Sequence, residues 1–213
     1  MPRSADQTRQ KILQTAYKLF RRSGFFRVGV DDIAAAAKLT KRTLYYHFKS
    51  KDTLLAAVLA SQHEAAFAAF QNFGIEASDD PTHLVDTIFR ELAIWSSKPR
   101  WAGSGFTRLA MELADLPGHP ARSVARQHKA VLEQYIAALL VRANIESPND
   151  RAREIQLLAE GAMVMILIHG DQTYAEAAAA AAKRLLGARA PRGTSAIPPR
   201  RARRQVQSRR SMR

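Results

Sequence analysis

Apolar positions recur at helical spacing along most of this 213-residue chain, and no segment shows the two-residue alternation of a strand. The first run places Ile12, Leu13, Ala16, Leu19 and Phe20 on one helical face. Ser4 and Gln7 precede it with the S-x-x-Q spacing of a capping box, in which each side chain serves the other's backbone amide. Gly24 follows where a helix commonly ends on a left-handed residue, and Phe25 and Phe26 lie before the next helix as core anchors. A second helix is predicted from Val30 to Ala37, with Ile33, Ala34 and Ala37 inward. Asp31 and Asp32 fall in its first turn, where the helix dipole favours negative charge. Lys38 and Leu39 form a turn, and Thr40 caps a third helix ending near Phe48. Within that helix Leu44 and Phe48 are four apart and face the core.

The pattern continues through a helix at 52–73, with Leu54, Leu55, Val58, Leu59, Phe67 and Phe70 as its apolar positions. Gly74 to Pro81 reads as a linker. Further helices are predicted at about 82–97, 104–115, 119–143, 149–170 and 172–187. The breaks between them are Lys98-Pro99, Leu116-Pro117-Gly118, Glu146 to Asn149 and Gly170-Asp171. The chain is therefore expected to be all-α: a three-helix head over 1–51, a larger helical domain over 52–187 and a tail over 188–213. The helix at 52–73 would link the two domains.

The third helix turns an uncommon set of residues outward: Lys41, Arg42, Thr43, Tyr45, Tyr46 and His47. A helix with such a face can enter the DNA major groove, where Lys and Arg donate to guanine acceptors and hydroxyls reach the backbone. The bland alternative is a solvated face with incidental tyrosines. Charge weighs against it. Residues 1–51 carry a net +9, residues 52–186 a net −4 and residues 187–213 a net +9, so the formal +14 is concentrated in head and tail.

With those residues in view, the head resembles the helix-turn-helix of the TetR family of bacterial transcriptional regulators. The matching elements are Gly24-Phe25, Ile33-Ala34-Ala35-Ala36-Ala37, Thr43 to Phe48, and Lys51-Asp52 leading into Leu54-Leu55. The resemblance implies that Lys41, Arg42 and Tyr45 reach base edges. It implies that Thr40, Thr43, Tyr46, His47 and Lys51 touch or support phosphate contacts, which set register while base contacts set sequence. Two positions depart from the family pattern. Lys38 stands where relatives often have Gly, and a left-handed Lys costs on the order of 1 kcal/mol. Gly29 stands where they often have Thr or Ser, and it has no side-chain oxygen for a phosphate.

The resemblance also implies a homodimer through the last two helices, about 149–187, and a ligand-responsive repressor on a palindromic operator. Leu157 to Ile168 is apolar nearly all round and must be buried on most sides, and Ala177 to Ala182 permits close helix approach. An effector pocket would need apolar walls and a few placed polar groups. Phe89, Trp95, Trp101, Phe106, Met111, Tyr135, Met163 and Met165 could supply walls. His128, Gln134, Glu160 and His169 could supply polarity. Most of these suit an ordinary core equally well. A small hydrophobic or aromatic effector fits them best.

Other function classes find little support. The chain has no cysteine, so neither disulfides nor thiolate metal sites arise. Its six histidines show no H-x-x-x-H spacing, and neither a metal nor a cofactor is expected. Gly103-Ser104-Gly105 is not a G-x-S-x-G elbow, and Ser104 reads better as an N-cap. Residues 1–20 lack the apolar run of a signal peptide, and the stretch ending at Ile168 is too short to span a bilayer. A cytoplasmic, non-enzymatic protein without a membrane partner is the expectation. The tail from Gly187, with Pro191, Pro198, Pro199 and nine Arg, reads as disordered. It is either solubilising or a nonspecific DNA clamp acting by counterion release. Two alternatives stand beside the repressor: an effector-free, charge-driven DNA binder, and a small-molecule carrier or enzyme with a vestigial helix-turn-helix.

Overall fold

The computed structural model describes residues 4–73, 75 and 78–187; the tail expected over 188–213 and part of the linker expected over 74–81 lie outside them. Among the described residues the chain forms nine α-helices. They are α1 (Ala5–Ser23), α2 (Val30–Ala36), α3 (Lys41–His47), α4 (Lys51–Gln71), α5 (Pro81–Ser96), α6 (Gly105–Glu112), α7 (Pro120–Arg142), α8 (Pro148–His169) and α9 (Thr173–Gly187). The all-helical class and each predicted helix are found.

Caps explain most boundaries. Ser4 accepts the Gln7 amide and the Gln7 side chain accepts the Ser4 amide, completing the capping box. Thr40, Ser50, Asp80 and Ser104 each accept an amide of the helix they precede. Gly24 ends α1 at φ +81°, ψ 167°, which is not the left-handed helical conformation expected for it. That extended, positive-φ region is open almost only to glycine, so the residue type was needed for a different geometry. Lys38 does adopt positive φ, +53°. Its amide donates to Ala35 and that of Leu39 to Ala34, the two bonds of a Schellman motif closing α2. Helix α6 stops at Glu112, three residues short of the prediction, and Arg122 donates to the carbonyls of Leu113 and Ala114 just beyond it.

Two apolar cores result. The first gathers Ile12, Leu13, Phe20, Phe25, Ile33, Leu44, Phe48 and the opening turns of α4, and it also takes in Phe106, Leu109 and Leu113 from the α6 region. The second is built from α5, α7, α8 and α9 around Phe89, Leu140, Ile155 and Ala182. Helix α4 has the length and hydropathy of a membrane span by composition alone, but Leu54, Leu55, Val58 and Leu59 are spent on the first core. Further along, Phe67 and Phe70 set their rings edge-on to Tyr135 of α7.

The stretch 157–168 departs from expectation. Ala162 and Ile166 are buried, yet Leu157, Leu167 and Ile168 stand exposed. Helix α8 packs on α5, α7 and α9, which cover only part of its circumference, so an outward apolar stripe is left open within one chain.

Candidate DNA interface and effector cavity

The outward face of α3 follows from what lies behind it. Leu44 is fully buried and Phe48 nearly so, which anchors the two-turn helix on the first core. Helical periodicity then turns Lys41, Arg42, Tyr45 and Tyr46 to solvent, with Tyr46 81% exposed. Thr43 and His47 are half-buried at its margins. Thr40 is exposed; its hydroxyl accepts the Thr43 amide and lies 2.8 Å from the Thr43 hydroxyl. Lys41 pairs with Asp31 of α2 at 3.1 Å. Both partners are exposed, so the pair is weak and its cation can be given up to another anion. Arg42 has no ion-pair partner among the described residues.

Lys51 is held differently from the others. Its ammonium lies 4.2 Å over the Phe25 ring, a cation–π arrangement. Partial burial lowers its pKa from the ordinary lysine value, against the raising effect of Asp52 and Glu112. The loop beneath is tied to the second domain. The Phe26 amide donates to Glu112 Oε1 at 2.9 Å, and Arg108 reaches the Arg21 carbonyl at 3.4 Å. His119, buried, sets its ring edge-on to Phe25 and lies 3.4 Å from Asp52. None of these links is visible in sequence, because Phe26 and Glu112 are 86 residues apart.

The second domain holds a cavity of about 410 Å³ between α6, α7 and α8. Phe106, Ala110, Ala125 and Leu157 give it an apolar wall. Its polar lining comes from Thr107, Gln156 and Glu160 and from a run of charges, Arg122, Arg126, Lys129 and Glu133 on α7, faced by Arg153 on α8. Glu160 accepts from both Thr107 and Lys129. Arg153 pairs with Glu133 at 3.0 Å.

Of the residues proposed from sequence for a pocket, Phe106 and Glu160 line this cavity. His128 lies directly behind Phe106, stacked at 3.7 Å, with its Nδ1 2.8 Å from that of His63 on α4. Burial, then Lys129 and His63, push its pKa down to about 3. The others are elsewhere. Phe89 is in the second core, with Met163 against it. Trp95 and Trp101 pack edge-on to each other, and Met111 is exposed. Tyr135 meets α4, and His169 stacks on Tyr174. Gln134 is exposed and Met165 half-buried. The aromatic candidates do not include the charged stripe of α7, although its spacing of three and four residues places it on one helical face.

A short anchored helix with an exposed cationic and aromatic face, preceded by a tight turn and a packed second helix, defines a helix-turn-helix DNA-binding head. Residues 12–58 match the family described as bacterial regulatory proteins, tetR family. The transcriptional regulator UidR of Escherichia coli K12 is 32% identical over 88 residues, a stretch covering 41% of this chain and 44% of UidR, so less than half of that relative is matched. The fold is that of SCO4454, a TetR-family regulator from Streptomyces coelicolor, with a TM-score of 0.74 and 24% identity over 85% of this chain and 95% of the other. The TetR regulator sav143 of Streptomyces avermitilis is 30% identical, with a TM-score of 0.68, over 83% of this chain and 98% of its own. The chain belongs to the TetR family of DNA-binding transcriptional regulators.

Proposed function

We propose that the protein is a ligand-responsive repressor that binds a palindromic operator as a homodimer. Lys41, Arg42 and Tyr45 read base edges, while Thr40, Thr43, Tyr46, His47 and Lys51 meet the phosphates. The observation that carries this reading is the exposed cation-and-tyrosine face of α3, held rigid by the buried Leu44 behind it. Two such heads about one helical turn apart would read an inverted repeat. The open stripe of α8 and the alanine-rich α9 supply the surface for the second copy.

The effector enters the cavity between α6, α7 and α8. Helix α6 lines that cavity with Phe106 and Thr107 and grips the head loop with Glu112, so a ligand that shifts α6 also shifts the head. The ligand must bind the shifted state more tightly, because only differential affinity moves the equilibrium. The domain limits implied are a reading head over 1–51 and an effector and dimerisation part over 52–187. The nine Arg of the C-terminal 27 residues favour a second reading, an effector-free binder driven by charge.

Selection of a random duplex library by the purified protein at near-physiological salt separates the two. An inverted repeat supports the dimeric repressor. Binding without a motif, vanishing as salt rises, overturns it in favour of the charge-driven binder.

A further inference from the structure

The cavity's charges do not cancel, and the excess is positioned. Lys129 is matched by Glu160, and Arg153 by Glu133. Arg122 and Arg126 remain. They lie one turn apart on α7, both line the cavity, and neither has a carboxylate within ion-pair distance among the described residues. Arg122, half-buried, spends part of its guanidinium on the carbonyls of Leu113 and Ala114, while Arg126, exposed to solvent, has no partner among the described residues. Like charges four apart on a helix repel, weakly where solvent screens them, and an anion between them would turn that repulsion into attraction. A guanidinium fork suits a carboxylate in two-point contact.

The rest of the lining defines the body of the ligand. Phe106, Ala110 and Leu157 form the apolar wall. Gln156 also lines the cavity, and its side-chain oxygen is buried without a hydrogen-bond partner, though its amide donates to the Lys129 carbonyl. The volume of about 410 Å³ lies within the range of small-molecule sites.

We propose that this cavity takes an amphipathic organic anion, an aromatic or acyl carboxylate whose acid group pairs with Arg126 beside Arg122 and whose apolar body lies against Phe106, Ala110 and Leu157. This rests on the reading of the cavity as the effector site and narrows its ligand from apolar compounds to anionic ones. Neutral compounds of the same shape would gain no ion pair from the two guanidinium groups.

The test is calorimetric titration of the full-length protein with 2-naphthoate, 4-phenylbutyrate and decanoate, each beside its primary amide. The expected result is that at least one acid binds about tenfold or more tighter than its amide. Arg126→Gln should remove most of that preference, lowering the acid's affinity far more than the amide's, and Arg126→Lys should restore part of it. Arg126 has no hydrogen-bond or ion-pair partner among the described residues, so the substitution removes charge without removing such a contact there. Equal binding of acid and amide, absence of binding by every acid, or an acid preference that survives Arg126→Gln would overturn the proposal. The last outcome would place the anion on other arginines. Recovery of an inverted repeat by duplex selection despite any of these would leave the DNA reading intact and sink the ligand class alone.

Discussion

Glu112→Ala tests the link between the cavity helix and the reading head. Glu112 accepts the Phe26 amide at 2.9 Å, so its loss leaves a loop N–H to water. A hydrogen bond to a charged group contributes about 1.5–3 kcal/mol, and solvent exposure at Phe26, 57%, argues for less than that range. Glu112 is also the last residue of α6, where the helix dipole disfavours a negative charge, so its removal recovers about 0.3 kcal/mol or somewhat more. The net cost should be about 1 kcal/mol, which lowers the melting temperature by about 2–4 °C in a chain of this size. Amide exchange at Phe26, followed by NMR, should quicken about fivefold. Glu112→Gln keeps an acceptor and should recover most of both effects. Protein concentration must be held constant, because dimerisation would shift the melting point. Unchanged melting and unchanged Phe26 exchange in the Ala variant would show that the contact contributes nothing in solution. A Gln variant as damaged as Ala would mean that charge, rather than the hydrogen bond, ties the two parts.

Gly24→Ala should cost at least about 1 kcal/mol, because its φ is positive and the new Cβ would lie 3.1 Å from Glu112 Oε1; urea unfolding with an unchanged slope would measure it. His128, its pKa lowered by burial, stays neutral in the folded chain while its unfolded counterpart gains a proton below about pH 6.5. Stability should therefore be complete above that pH and fall towards pH 3, by up to about 1.4 kcal/mol per unit, and His128→Phe should flatten the decline in urea midpoints measured between pH 4 and 8. Arg42→Ala should weaken operator binding and relax base preference, whereas Lys51→Ala should weaken all sequences alike and reduce the salt slope by about one, as read by fluorescence anisotropy across a salt series. Should Arg42→Ala behave like Lys51→Ala, its assignment to bases is wrong. Ile168→Glu, on the open stripe of α8, should halve the mass seen by light scattering with little change in helix content, and an unaltered mass would move the dimer contact elsewhere.

Much of the head was legible because its determinants are local. Ser4 with Gln7, Leu44 with Phe48, and Thr40 before Lys41 act within one or two turns, and each holds in the structure. Backbone geometry was only half legible: glycine at 24 announced an unusual conformation, but not which positive-φ region it takes, nor that Glu112 from another helix would lie against it. The cavity was least legible. Aromatic residues were sought as its walls, yet Phe89 and Tyr135 are consumed by packing within one chain. The polar lining comes from long charged side chains whose stems cover apolar surface, so in sequence they look like an ordinary solvated face. The stripe on α8 failed for a related reason. A helix apolar all round must be buried, but sequence does not say by which chain, and one copy alone leaves Leu157 and Ile168 open.

In the proposed ligand-responsive repressor, helix α6 is the element that would join cavity to head. It is eight residues long, too short to be stable by itself, and its position is set by what it touches. Phe106 rests on His128, Thr107 donates to Glu160, Leu109 enters the first core and Glu112 holds the Phe26 amide. Cavity contacts and head contacts thus alternate along little more than two turns. On the head side Phe106 and Leu109 are packed into the first core, so a shift of the helix is passed to the head rather than absorbed there. An occupant that pushes Phe106 or competes for Glu160 therefore acts on the same rigid body that carries Glu112. Substitutions at 112 should then change how strongly ligand and operator influence each other while leaving ligand affinity of the DNA-free protein nearly unchanged, which separates coupling from binding.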